Sequence, residues 1–173
     1  MYCGDRRRYL QVLKMRNSIE ETALRYLSFR MRTLHEMKKY LGEKGFSEEE
    51  IETLIKKYEQ SGYLDDEEYC RQYIRYGLKK GKSRKRIHYE LCQKGVDVSV
   101  AENSFEDFLE EEAPDYDEKS RALSEAEKVI RAAGQPLTEK LLGRAARRLQ
   151  SKGYSSDVIY SVLRELRKSD REG

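Results

Sequence analysis

The sequence predicts an all-α protein built from three tandem three-helix repeats stacked in an elongated, curved array. The main observation is a signature that occurs three times: a Leu, two variable residues, Lys-Gly, a hydrophobic residue, and Ser or Asp. Its copies begin at Leu41, Leu91 and Leu149, which are 50 and 58 residues apart. Repeats of this length are typical of stacked supersecondary units. The chain also has only two prolines and few β-branched runs, which favours helix over strand.

Each copy of the signature predicts a tight corner between two helices. Gly45, Gly95 and Gly153 follow runs with helical spacing, and glycine accepts the left-handed conformation in which many helices end. Two residues after each glycine stands a residue type that favours a helix N-terminus: Ser47, Asp97 and Ser155. Ser47 and Glu50 have the spacing of a capping box.

A further helix precedes each corner pair, and we expect these leading helices to cover roughly residues 19–31, 66–79 and 117–132. The middle helices begin near Thr33, Ser83 and Thr138, which are suitable N-caps. The inward positions of the leading helices are predicted to be Ala23, Leu24, Leu27 and Met31, then Cys70, Tyr73, Ile74 and Gly77, then Ala122, Ala126, Val129 and Ile130.

The domain organisation follows from these repeats and from an acidic stretch around Pro114. We predict an N-terminal arm at 1–18, repeats at 19–62 and 63–109, an acidic linker at 110–116, and a third repeat at 117–173.

Charge is distributed unevenly along the chain, although the net charge is only +3. Residues 63–95 carry nine Lys or Arg against five Asp or Glu, residues 96–118 carry none against ten, and residues 119–173 carry thirteen against seven. A basic middle, an acidic band and a basic end predict an oriented electrostatic contact with a partner.

The strongest candidate site is the basic set of the second repeat. It comprises Arg71, Arg75, Lys79, Lys80, Lys82, Arg84, Lys85 and Arg86. One interpretation is a solvated helix corner, with the lysines complementing a helix C-terminus. The other is an anion-binding corner, in which Ser83 opens a helix whose free N–H groups point outward among cations, a geometry that suits phosphates.

Two further basic sets have similar positions in the outer repeats. They are Arg25, Arg30 and Arg32 in the first repeat, and Arg144, Arg147 and Arg148 in the third. If the repeats stack as a superhelix, the three sets could line one face. Among the thirteen tyrosines, Tyr73, Tyr154 and Tyr160 have core or corner spacing, whereas Tyr76 and Tyr89 could stack on bases or on partner residues.

Several classes of protein are disfavoured by what the sequence lacks. It has no nucleophile, phosphate-loop or dinucleotide motif, so we predict no catalytic residues and no cofactor. We predict no metal site, because His35 and His88 have no neighbour at metal-ligand spacing. Three cysteines without a CxxC motif indicate neither a disulfide framework nor zinc. No apolar run is long enough for a membrane span, and we expect a cytoplasmic protein.

A family resemblance rests on several stretches in their order and spacing. They are Ala23–Leu27, Arg30–Thr33, Leu41–Phe46, Gly62–Cys70, Gly81–Ile87, Glu90–Leu91, Lys94–Val96 and Leu149–Tyr154 with Ile159. Through them the chain resembles the RecX family of recombination regulators over nearly all of residues 19–167. The segment from Gly62 to Cys70, directly before the basic middle repeat, is the most specific of them.

The resemblance implies three tandem three-helix repeats in a small cytoplasmic bacterial protein. It also implies that the protein binds the RecA recombinase filament, lodges along its groove, contacts both RecA and DNA, and modulates the filament, usually by inhibition. The N-terminus looks shorter than in many members, so the contacts of that region stay open. We therefore expect as partners the RecA filament and single-stranded DNA, with duplex DNA as a further candidate.

Three functional hypotheses follow. In the first, a non-enzymatic repeat protein occupies the filament groove, hinders subunit addition, and blocks strand exchange or repressor cleavage. In the second, a stand-alone helix-turn-helix protein prefers a duplex sequence, although the acidic third helix of the middle repeat argues against entry into a groove. In the third, the chain is a scaffold that binds proteins only.

Overall fold

The structure is a computed structural model that describes residues 18–134 and 136–172. Within these residues the chain is all-helical, and the predicted N-terminal arm lies almost wholly outside them. The helices in chain order are α1 (Ile19–Leu27), α2 (Leu34–Glu43), α3 (Glu48–Gln60), α4 (Asp66–Lys79), α5 (Arg84–Gln93), α6 (Val98–Glu112), α7 (Glu118–Ala133), α8 (Glu139–Ser151) and α9 (Ser156–Glu172). They form three three-helix domains, which confirms the predicted fold class.

Side-chain caps explain where most helices begin. Thr33, Ser83 and Thr138 accept a hydrogen bond from the backbone N–H three residues later, and so cap α2, α5 and α8 as predicted. Ser47 and Glu50 form the expected capping box at α3, and Asp97 caps α6. Each cap supplies an acceptor to an N–H group that the helix itself cannot satisfy.

The three signature corners have the conformation that the sequence predicts. Gly45, Gly95 and Gly153 have φ values of 81°, 80° and 88°. In this left-handed region a Cβ atom would collide with the backbone, so glycine is strongly favoured. The chain can therefore reverse direction between the second and third helix of each domain.

By its internal contacts the chain divides into two compact units, Met1–Tyr69 and Cys70–Gly173. The core of the first unit is formed by apolar side chains of α1, α2 and α3 and of the loop after α3: Ala23, Met37, Leu41, Ile51, Leu54, Ile55, Tyr58 and Leu64. The start of α4 also belongs to this unit, and the Asp66 carboxylate accepts a hydrogen bond from Leu34 N–H at 2.9 Å.

The leading helix of the first domain is shorter than predicted. It ends at Leu27, with Ser28 as its C-cap, instead of continuing to Met31. Leu24 is 45% exposed and Met31 is 36% exposed, so their prediction as inward residues was wrong. Ala23 supplies the inward position of this short helix, because it is fully buried in the core.

The second unit contains the second and third domains. Cys70, Ile74, Ile87, Leu91 and Phe105 are buried in the second domain. The third has its own core, which consists of Ala122, Ala126, Ala145, Leu149, Tyr154 and Val162. Helix α6 continues to Glu112 and so includes the first three residues of the predicted linker. In the described part of the chain, no helix is both long and apolar enough to cross a bilayer.

Candidate functional site

The corner between α4 and α5 carries the densest group of predicted site residues. The structure corrects one expectation here, because Ser83 is completely buried and the start of α5 does not point outward. Ser83 N–H donates to the Lys152 carbonyl at 3.0 Å, and Arg84 N–H donates to the Glu118 carboxylate at 3.2 Å. The third domain therefore occupies the helix N-terminus that was predicted to bind phosphate.

Further polar contacts fasten this corner to the third domain. The Lys152 ammonium donates to the Lys80 carbonyl at 2.6 Å. The Tyr154 hydroxyl donates to the Gly81 carbonyl at 3.2 Å, and burial raises the pKa of Tyr154 to about 12. Since that hydroxyl stays protonated at physiological pH, it is a permanent donor to the turn.

A single buried carboxylate, Glu125 on α7, lies against the same turn. The side chain of Glu125 is only 6% exposed, and it forms ion pairs with Lys128 and with Arg148, the latter at 3.8 Å. A Cβ atom added to Gly81 would overlap the Glu125 carboxyl group. The turn and the carboxylate are therefore in direct contact, and glycine at position 81 makes that contact possible.

The cations near Glu125 and Lys152 outnumber the carboxylates that pair with them. The pKa of Lys152 is lowered by its burial and by the positive charges of Arg148, Lys82 and Lys80, while Glu125 opposes this effect. We define the Glu125 cluster as Glu125, its ion-pair partners Lys128 and Arg148, and Lys152 with the two cations Lys80 and Lys82 that act on it. It joins the predicted basic sets of the second and third domains, which are far apart in sequence. Such a surplus of positive charge attracts anions.

Three arginines of the basic set of the second domain, in contrast, are neutralised by carboxylates of α6. Arg71 and Arg75 pair with Glu111 and Glu112 of α6, the second pair at 2.6 Å. Arg84 pairs with Glu106, also on α6, at 2.6 Å. The acidic band that follows this basic set in the sequence folds back onto these arginines.

Glu90 binds two more of the predicted site cations. Its carboxylate pairs with Lys82 and with Arg86, the latter at 2.8 Å, and accepts a hydrogen bond from the Tyr73 hydroxyl at 2.8 Å. Burial alone would raise the pKa of Glu90, but these three hydrogen bonds hold it below its usual value. Lys82 and Arg86 are thus positioned by an ionised carboxylate.

Other predicted site cations in this unit have no carboxylate partner among the described residues. They are all exposed: Lys79, Lys80, Lys85, Arg144 and Arg147. These side chains can bind an external anion without first breaking an internal ion pair. We group them with the Glu125 cluster as the candidate site.

The basic set of the first domain has a more structural role. Arg30 donates to both oxygens of Glu36, each at 2.9 Å. The Arg32 guanidinium lies 3.8 Å from the centre of the Tyr26 ring, and that ring stacks on Tyr40 with a centroid separation of 3.9 Å. Arg25 is exposed. Two of the three arginines therefore support the fold of their own domain.

One predicted aromatic position differs from expectation and two agree with it. Tyr160 is 77% exposed, so its core or corner assignment was wrong. Tyr154 is buried at the corner, as predicted. Tyr76 is 51% exposed, and the Lys80 and Lys82 ammonium groups lie 5.6 and 5.8 Å from the centre of its ring. Tyr76 therefore borders the basic corner, as its position in the sequence suggested.

His88 has closer neighbours than the sequence analysis expected. Its Nδ1 atom lies 3.9 Å from Cys92 Sγ, and its Nε2 atom lies 3.8 Å from the Glu102 carboxylate. Even so, no three His, Cys, Asp or Glu side chains in the described ranges are arranged to hold a metal ion.

Two residues that organise the candidate site, Glu125 and Lys152, are not among those predicted from the sequence. Glu125 follows the inward residue Ala122 by three positions, so it falls on the buried face of α7. A charged residue at such a position is a signal, because carboxylates are rarely buried without a partner. Lys152 was recognised only as part of the signature corner.

Comparison with known proteins gives a consistent result across most of the chain. Family models described as the first, second and third three-helix domains of RecX match residues 21–57, 65–104 and 116–163. A regulatory protein RecX from Vibrio parahaemolyticus is 36% identical over 84% of this chain and 90% of its own length. One from Oceanobacillus iheyensis is 26% identical over 91% of this chain, which spans only 57% of that longer relative.

A solved structure has the same fold. The crystal structure of RecX from Lactobacillus salivarius superposes with a TM-score of 0.67 at 25% identity. The match covers 86% of this chain and 96% of that one.

Proposed function

The chain belongs to the RecX family of regulatory proteins, and on that premise we propose that it binds the RecA filament on DNA. We further propose that it is not an enzyme, and that it modulates the recombinase, ATPase and coprotease activities of RecA by inhibition. It would do so by occupying the filament groove and hindering subunit addition. Cytoplasmic localisation is part of the same proposal.

The observation that carries the DNA part of the proposal is the surplus of positive charge at the Glu125 cluster. The cluster and the exposed cations Lys79, Lys80 and Lys85 belong to one compact unit. Phosphate contacts by Lys and Arg release counterions from the nucleic acid and supply most of the sequence-independent affinity. A regulator that binds a filament on DNA of any sequence needs sequence-independent affinity of this kind.

The arrangement of α6 disfavours the stand-alone helix-turn-helix alternative. Its carboxylates neutralise Arg71, Arg75 and Arg84. A recognition helix in a DNA groove presents donors and cations to the bases and phosphates. An acidic helix that also removes neighbouring positive charge is unsuited to that role.

The proposal is tested by titrating the protein into a RecA assay that follows DNA-stimulated ATP hydrolysis. We expect the rate to fall as the protein is added, and filament length in electron micrographs to fall with it. Unchanged hydrolysis and unchanged filaments would contradict the inhibitory role. Binding to RecA without any dependence on DNA or salt would favour the protein-only scaffold.

A charge variant tests which cations touch the filament. Lys79, Lys80 and Lys85 are changed together to Gln, because none of them pairs with a carboxylate in the described structure. We expect weaker binding to single-stranded DNA and to filaments. The slope of log affinity against log salt concentration should flatten by about 0.7 for each phosphate that the variant no longer neutralises.

The matched control removes three exposed cations elsewhere, Lys39, Lys56 and Arg164. It has the same net charge as the test variant, so a general electrostatic effect would weaken both equally. Equal reductions of affinity in the two variants would contradict the assignment of the site to the α4–α5 corner.

A further inference from the structure

A half-exposed aromatic ring lies at the basic corner. Tyr76 on α4 is 51% exposed, whereas Ile74, two residues earlier, is completely buried. The Lys80 and Lys82 ammonium groups lie 5.6 and 5.8 Å from the Tyr76 ring centre. Lysine ammonium groups at this distance are attracted to the face of an aromatic ring. Tyr76 is therefore a partly exposed ring with two positive charges close to it.

The surroundings of Tyr76 are held in place by hydrogen bonds. The Tyr73 ring lies 6.2 Å from the Tyr76 ring, tilted by 50°. The Tyr73 hydroxyl donates a hydrogen bond to Glu90, and Glu90 also pairs with Lys82. The Lys82 ammonium group lies 5.5 Å from the Tyr73 ring. This network fixes Lys82 beside the two rings before any ligand arrives, which lowers the entropy cost of binding.

We propose that Tyr76 is a base-stacking residue, which makes this corner selective for single-stranded over duplex nucleic acid. A nucleobase would stack on the exposed part of the ring, and its flanking phosphates would contact Lys80 and the neighbouring Lys79. Aromatic rings with adjacent cations are the usual elements of sequence-tolerant single-strand binding. The inference rests on the proposed function, and it specifies the form of nucleic acid that the same surface binds.

Selectivity follows from what each form of nucleic acid exposes. In a duplex the base faces are stacked on their neighbours, so an exposed tyrosine can contact only the backbone. In a single strand a base can be unstacked at small cost and placed on the ring. Phosphate contacts are common to both forms, so the lysines contribute affinity and Tyr76 contributes the difference. The positive charge beside the ring favours a polyanion over an apolar protein surface.

The test compares Tyr76→Ala with Tyr76→Phe, which retains a ring and removes only the hydroxyl. Binding is measured by fluorescence anisotropy with a labelled oligothymidylate, its duplex, and an abasic strand of equal length. We expect Tyr76→Ala to weaken single-strand binding by about fivefold or more. Its effects on the duplex and the abasic strand, and on the salt slope, should be small. Tyr76→Phe should bind the single strand like the wild type.

Tyr160→Ala is the matched control, because Tyr160 is an exposed tyrosine on α9 of the third domain. An equal loss of affinity for single strand, duplex and abasic strand in Tyr76→Ala would overturn the inference, as would no loss at all. A loss in Tyr76→Phe as large as in Tyr76→Ala would assign the effect to the hydroxyl and contradict stacking.

The outcomes separate this inference from the proposed function. If the wild-type protein inhibits RecA and binds single strands, but Tyr76→Ala does the same with unchanged affinity, only the stacking role fails. If the wild-type protein neither binds DNA nor alters RecA, the proposed function fails and this inference fails with it.

Discussion

The basic sets of the first domain and of the second unit contain similar residues in different electrostatic surroundings. In the first domain, Arg30 has a carboxylate of its own, with both Glu36 oxygens at 2.9 Å. In the second unit, Lys128 and Arg148 share Glu125, whose carboxylate is buried against the Gly81 turn and lies near further cations. Arg30 and Glu36 neutralise each other, whereas the Glu125 cluster keeps an excess of positive charge. The number of cations in a segment therefore predicts anion binding less well than the number of carboxylates that reach them.

Substitution of Gly81, which contacts Glu125, is expected to have the largest effect on the stability of the protein. Gly81→Ala should destabilise the protein by about 3 kcal/mol, because left-handed strain adds to overlap of the new Cβ atom with Glu125. Gly62→Ala is the matched control: Gly62 has a similar φ of 72°, and its Cβ atom would meet nothing within 4 Å. It should cost about 1 kcal/mol, from strain alone. Urea unfolding followed by circular dichroism measures both, and equal costs would contradict the close packing at Gly81.

Neutralising Glu125 or Glu36 is expected to have the next largest effect on stability. Glu125→Gln should cost about 2 kcal/mol, less than the roughly 3–5 kcal/mol for a fully buried pair, since Lys128 and Arg148 are about half exposed. Glu36→Gln should cost about 0.5–1 kcal/mol, because its ion pair is closer to the surface.

The same urea titrations measure both carboxylate variants. A larger cost for Glu36→Gln would mean that the Arg30–Glu36 ion pair stabilises the first unit more than Glu125 stabilises the second. That result would contradict the larger contribution to stability that we expect from Glu125.

The smallest expected effects concern pH, and they have opposite signs in the two units. Glu90 in the second domain has a folded pKa below its usual 4.5: burial works against this shift, but the hydrogen bonds from Lys82, Tyr73 and Arg86 outweigh it. Its contribution to stability is therefore complete above that pH and is lost as the pH falls through the lower folded pKa. Burial raises the pKa of Asp66, in the first unit, above its usual 3.8. Its contribution is present below that pH and is lost as the pH rises through the higher folded pKa.

Two variants measure these opposite trends. The stability difference between the wild type and Glu90→Gln should shrink as the solution is acidified, since the wild-type carboxylate loses its charge. For Asp66→Asn, acidification should raise the stability of the wild type relative to the variant. Urea unfolding at a series of pH values between about 3 and 6 tests both signs. Parallel pH profiles for the two variants would contradict the comparison.

Much of the fold could be predicted because its signals are local. The caps at Thr33, Ser83 and Thr138 and the left-handed glycines each depend on residues within one or two turns of helix. The error at α1 has a physical explanation as well. The apolar spacing continues the helical pattern as far as Met31, but the helix ends at Leu27 and leaves Met31 outside it. Leu24 lies within the helix, on its exposed side. Periodicity identified a helix here, and it did not identify its end.

The candidate site could be predicted only in outline. The sequence indicated the cations of the second domain, but it could not indicate that Arg71 and Arg75 meet Glu111 and Glu112, about 40 residues later. Nor could it indicate that the helix N-terminus at Ser83 is covered by Lys152. Both contacts alter the availability of charge without any change in composition.

The sequence by itself determined the helices, their caps, the three glycine corners and the uneven distribution of charge. All of these depend on interactions between residues that are neighbours along the chain. Tertiary structure alone decided which cations remain available, because ion pairs form between side chains that folding brings within about 4 Å. The Tyr154 hydroxyl bonds the Gly81 carbonyl across 73 residues of sequence, and contacts of that span place Glu125 among the basic residues of two domains. Local chemistry thus specified the elements, and their packing specified where positive charge is left for a partner.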